Sequence, residues 1–74
     1  MSIGARIRAR RRSLDWSQTV LAQRSGVHVI SIVRIERGRQ PKPVTLAKLA
    51  QALDVSVEAL VSSSATPSAN STAA

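Results

Sequence analysis

Apolar residues recur every three or four positions from Ile3 to Leu60, a spacing that predicts a chain of short helices. Ile3, Ile7 and Leu14 fall on one stripe, so a first helix capped by Ser2 is expected to run to about Arg12. Leu14-Asp15-Trp16 breaks the stripe, and Ser17 is placed to cap a second helix with Leu21 as its main inward side chain. Gly26 ends that helix. A third is expected from about His28 to Arg37, stopping at Gly38, a residue suited to left-handed backbone. Arg39-Gln40-Pro41-Lys42-Pro43 should not be helical, because proline lacks an N–H and constrains the residue before it. A fourth helix is predicted over about Val44 to Leu53, capped near Val44 or Thr45, with Leu46, Leu49, Ala50 and Leu53 inward. Ser56 then caps a last short helix carrying Ala59, Leu60 and Val61.

The pattern contains no strand, so the fold class is all-α, a compact five-helix bundle over residues 1–61. From Ser62 onward, SSSATPSANSTAA is small, uncharged and aperiodic, and residues 62–74 are expected to form a disordered tail. There are no cysteines and one histidine, His28, so no disulfide, structural metal or cofactor is expected. The core must be aliphatic. Trp16 is the single aromatic residue, placed to plug the junction of the first two helices.

Charge narrows the choice of partner. Eleven Lys and Arg against four Asp and Glu leave a net charge of +7, which favours a polyanion, with nucleic acid ahead of membrane headgroups or acidic protein. No apolar run approaches the roughly 18 residues of a spanning helix, and the Arg-rich start does not resemble a secretory signal, so a cytoplasmic protein without membrane contact is expected. No nucleophile–base pair, metal cluster or phosphate-cradling glycine loop is present, and an enzyme is not expected.

Residues 17 to 38 carry the sharpest signal. Two short helices joined by so tight a turn must cross closely. Small Ala22 would let the third helix pass over, and Gly26 would supply the positive φ. Leu21, Val27, Ile32 and Ile35 would close the interface. These features describe a helix-turn-helix, the unit that presents its second helix to a DNA major groove.

Gln18-x-x-Leu21-Ala22, Gly26-Val27, Ile32, Ile35-Glu36-Arg37-Gly38 and Leu49-Ala50-x-x-Leu53-x-Val55 together resemble the phage lambda repressor-like helix-turn-helix family, which includes regulators of the xenobiotic-response-element type. The resemblance covers about residues 3 to 61. It implies an ion pair between Arg11 and Glu36, a Gln18 that touches the DNA backbone or supports the recognition helix, and a dimer that reads a palindromic operator. Three departures stand out: Ser25 where the family has an apolar residue, implying a looser turn; His28 in place of a Ser or Thr cap; and a short Arg39–Pro43 loop.

At about 100° per residue, Ile32 and Ile35 set the inward side of the third helix, with Ser31 and His28 on that side or its edge. Val29, Ile30, Val33, Arg34 and Arg37 make the opposite arc, apolar first and cationic later. The favoured reading puts Val29, Ile30 and Val33 against thymine methyls and Arg34 against guanine O6 and N7. Two other readings stay open: a protein partner on the apolar face, or a helix rotated so that some of these residues are core. Ser17, Gln18, Ser31, Arg37, Arg39 and Lys42 are the backbone-contact candidates; Arg6, Arg8, Arg10 and Arg12 could steer the encounter without touching DNA. Val57 and Val61 form a small apolar excess for homodimerisation. The function expected is a sequence-specific regulator of transcription, a repressor acting by occlusion; the alternative is an antitoxin-like module that binds a protein.

Overall fold

The computed structural model describes residues 2–61; the expected tail lies outside the described residues. Five helices follow one another: α1 (Ile3–Ser13), α2 (Gln18–Ser25), α3 (Val29–Glu36), α4 (Pro43–Ala52) and α5 (Val57–Val61). Three start on serine hydroxyls. Ser2, Ser17 and Ser56 each accept the backbone N–H three residues on, from Ala5, Val20 and Ala59, at 3.1 Å. The fourth start differs from expectation. Lys42 stands at the cap position without a side-chain cap, and Pro43 is the first helical residue rather than part of a barrier. A proline there has no N–H to leave unsatisfied, and its fixed φ already suits the helix.

The helix ends share a device. Asp15 (φ 59°), Gly38 (φ 120°) and Asp54 (φ 58°) all adopt left-handed backbone just after a helix. In each case the next residue's N–H reaches back into the last turn: Trp16 to the Arg11 carbonyl, Arg39 to Arg34 and Val55 to Ala50. Aspartate tolerates this region better than most residues, which explains how two non-glycine positions serve. Gly26 (φ 76°) ends α2 with its N–H on the Ala22 carbonyl, as the turn chemistry predicts.

Packing pairs run in a closed ring: α1 on α3, α3 on α2, α2 on α4, α4 on α5, and α5 back on α1. Ile7, Leu21, Ile32, Leu49 and Leu53 fill its centre without solvent exposure, and Leu60 seals it from α5. Each helix therefore contributes a side chain that the others cover. Burial at ~25 cal/mol per Å² of apolar surface is the main force holding so small a core. Among the described residues no helix is long and apolar enough to cross a membrane.

A small residue that the sequence did not single out sets the geometry near α3. Ala22 is partly buried against the core. Gly4 of α1 makes a very close approach to α3. A Cβ built there would overlap the Ile35 carbonyl oxygen and come within 2.9 Å of its carbon. Glycine is needed here for space, whereas Gly26 has open space and is needed for its φ. Ser25 also corrects an expectation. Its hydroxyl accepts the Val27 N–H at 3.2 Å, so the polar residue braces the turn rather than loosening it.

Candidate nucleic-acid interface

The end of α3 is anchored by a charged network. Arg11 faces Glu36 as a fork, with Nε to Oε2 at 2.8 Å and Nη2 to Oε1 at 3.0 Å, while Nη1 donates to the Trp16 carbonyl at 2.8 Å. Gln18 adds its side-chain amide, donating to Glu36 Oε1 at 3.2 Å. The Arg11 and Glu36 side chains are only 9% and 4% exposed. The hydrogen bonds Arg11 donates to the Glu36 carboxylate raise its guanidinium above its ordinary value, against the downward pull of burial. Arg11 therefore stays charged across the biological pH range. The network ties α1, the start of α2 and the end of α3 into one unit. The two carboxylate oxygens take three donors, so the pair is well satisfied despite its burial.

With its end fixed, α3 turns Ile32 and Ile35 inward and Ile30 outward. Ile30 is 54% exposed, and Arg34, one turn later, is also at the surface beside Ser31 and Arg37. Val29 and Val33 are half-buried rather than open. Ser31 and His28, expected inward or at the edge, are exposed. Angle around α3 does not carry this shift, because neighbours shade one flank. Val33 looks into a cleft shared with α1 and the start of α2, whereas Ser31 borders the open loop before α4. His28 holds the cap position of α3 without a side-chain cap bond.

Two cationic clefts flank the exposed stripe. One, of about 330 Å³, lies between α3 and the following loop and is lined by Ser31, Arg34, Arg39 and Lys42 among others. The other, of about 450 Å³, lies between α3, α1 and the start of α2, with Arg8, Arg12, Ser17, Gln18, Val33 and Arg37 on its walls. All six sequence candidates for backbone contact thus border one cleft or the other. Two qualifications matter: the Ser17 hydroxyl is engaged in capping, and the Gln18 amide in holding Glu36.

The arginines of α1 divide by face. Arg10 Nε donates to the Leu53 carbonyl at 2.9 Å, and Arg6 Nη1 to the Ala59 carbonyl at 3.4 Å, so this pair straps α1 to the end of α4 and to α5. Arg8 and Arg12 point into the cleft beside Arg37. The i, i+4 spacing was visible in the sequence as a signal, but the faces could be assigned only once α1 had neighbours. Trp16, half-buried against the core, is covered by the Arg24 guanidinium, 4.7 Å from the ring centre. Val57 and Val61 are 37% and 50% exposed, and Val44, not singled out from sequence, is 67% exposed.

The chain matches the helix-turn-helix family model over residues 7–60. It is also 42% identical over 62 residues to the HTH-type transcriptional repressor RghR of Bacillus subtilis (strain 168). That alignment takes in 81% of this chain and 46% of the relative, so the chain spans about half the length of the protein it resembles. No solved structure matches the chain.

Proposed function

The chain belongs to the helix-turn-helix family, and from that premise we infer that it is a DNA-binding regulator of transcription. In this reading α3 enters the major groove of double-stranded DNA and reads sequence there. One observation carries the proposal: Ile30 and Arg34 stand exposed one turn apart on a helix whose opposite residues, Ile32 and Ile35, are buried. An exposed isoleucine costs solubility and offers no stability, whereas beside an arginine it suits a thymine methyl next to a guanine edge. Val29 and Val33, half-buried, would contribute shape at the flank. Arg37, Arg39 and Lys42 supply the backbone attraction expected of a chain with net charge +7.

The relative's name describes a repressor, and repression needs only that a promoter be covered. We extend that role to this chain. One such helix reads only a few base pairs, which favours a homodimer on a palindromic operator, its half-sites about 34 Å apart. Val57 and Val61 are the surface proposed for pairing, with residues 1–61 as the DNA-binding domain and the cytoplasm as its place of action. Selection of bound duplexes from a random pool tests the reading directly. A recurring motif with two-fold symmetry is expected; a pool that never converges would end it.

A further inference from the structure

We propose that Arg8 and Arg12 of α1, together with Arg37, form a grip for a DNA phosphodiester on one side of α3, opposite a second grip made by Arg39 and Lys42. The inference rests on the DNA-binding reading. It assigns to α1 a contact beyond those of its neighbours Gln18 and Arg11, which both hold Glu36. The Gln18 amide gives one of its two N–H groups to Glu36, and Arg11 is locked to the same carboxylate and to the Trp16 carbonyl. Arg8 and Arg12 have no ion pair or side-chain hydrogen bond among the described residues, and nor does Arg37. All three are exposed and border the same cleft.

Their charges are uncompensated. Glu36 is the acidic residue in the cleft wall, and Arg11 already neutralises it at 2.8 Å. Arg8 and Arg12 sit one helical turn apart, where like charges repel and lower stability. A bound phosphodiester would turn that repulsion into attraction. The strap made by Arg6 and Arg10 sharpens the contrast, since those side chains have carbonyl partners within the fold.

Position supports the same ligand. Ser31 and Val33, two residues apart on α3, look into the two different clefts. Two steps of about 100° place them on nearly opposite flanks of the helix. A helix of about 10–12 Å diameter fills a major groove about 12 Å wide, leaving one strand's phosphates on each flank. Each cationic cleft would then face a different strand, and α3 would be held from both sides.

The test compares the double variant R8Q/R12Q with R24Q/K48Q, which removes two charges that border neither cleft. Affinity for a selected operator and for a random-sequence duplex is measured across a salt series, with melting temperature as a folding check. The grip predicts that R8Q/R12Q flattens the slope of log affinity against log salt by about 1.8, two contacts at about 0.9 each. Operator and random duplex should weaken by the same factor, and R24Q/K48Q should keep the wild-type slope. Equal slopes for R8Q/R12Q and wild type overturn the grip while leaving the DNA-binding reading intact. Equal flattening by both variants overturns it too, since net charge alone would then explain the effect. A wild-type chain that binds no duplex ends both proposals at once.

Discussion

Gly4 of α1 lies directly beneath the Ile35 carbonyl of α3, so close that no side chain fits between them. This contact sets how near α1 and α3 approach, and with it the tilt of the stripe that carries Ile30 and Arg34. The Arg11–Glu36 fork joins the same two helices further along. The candidate recognition helix is thus fastened at two points by α1, besides its packing on α2.

Gly4→Ala should destabilise the fold. Overpacking against rigid backbone costs about 1–3 kcal/mol, and the helix propensity gained over glycine returns only about 1 kcal/mol. Urea unfolding should show a lower midpoint with an unchanged slope. A variant as stable as wild type would mean that α1 shifts freely, contrary to the tight packing described.

Removing one partner of the Arg11–Glu36 pair should cost more than removing both. A lone charge left 4–9% exposed is expensive, on the order of 3–5 kcal/mol. Arg11→Met alone should therefore be worse than Arg11→Met with Glu36→Leu, and a double-mutant cycle would measure the coupling. Gln18→Ala should lose about 1 kcal/mol through its hydrogen bond to Glu36. Additive losses across the cycle would contradict a coupled network.

Arg34→Ala should weaken the selected operator by about 5- to 150-fold, matching about 1–3 kcal/mol for a bidentate base contact. Binding to random duplex should fall far less. The rival reading, an antitoxin-like module, predicts unchanged operator affinity in this variant. Titration of both duplexes decides between them.

Salt dependence offers a check that needs no mutation. With about five phosphate contacts in the wild-type complex, log affinity should fall against log salt with a slope near −4 to −5. A flat response would point away from nucleic acid.

Val57→Glu should separate assembly from folding. Val57 is 37% exposed while Leu60, in the same helix, is 2% exposed, so the change touches the surface and leaves the core filled. Sedimentation should move from dimer to monomer with helicity retained, and operator affinity should drop with the lost half-site. A wild-type chain that sediments as a monomer at all concentrations would remove Val57 and Val61 from the account.

Much of the fold was legible along the chain because its signals are local. The serine caps, the Gly26 turn and the inward leucines of α4 each depend on residues within a turn or two of one another. The Pro43 start was misplaced for an equally local reason: proline is excluded from helix interiors but welcome at the first position. At the candidate site, Ile30 and Arg34 followed from periodicity, whereas the half-burial of Val33 and the exposure of Ser31 did not. Periodicity measures angle around one helix and says nothing of which neighbour shades each flank.

The amino-acid order alone determined that this is a basic, aliphatic chain with five helices over its described residues and a tight turn at Gly26. Short-range hydrogen bonding and hydrophobic spacing act within a few residues and leave their mark in the order itself. Only the tertiary structure decided that Gly4 touches Ile35, that Gln18 serves Glu36, and that the arginines of α1 divide between an internal strap and an open cleft. Those outcomes depend on surfaces brought together across dozens of residues, where distance in space no longer follows distance along the chain.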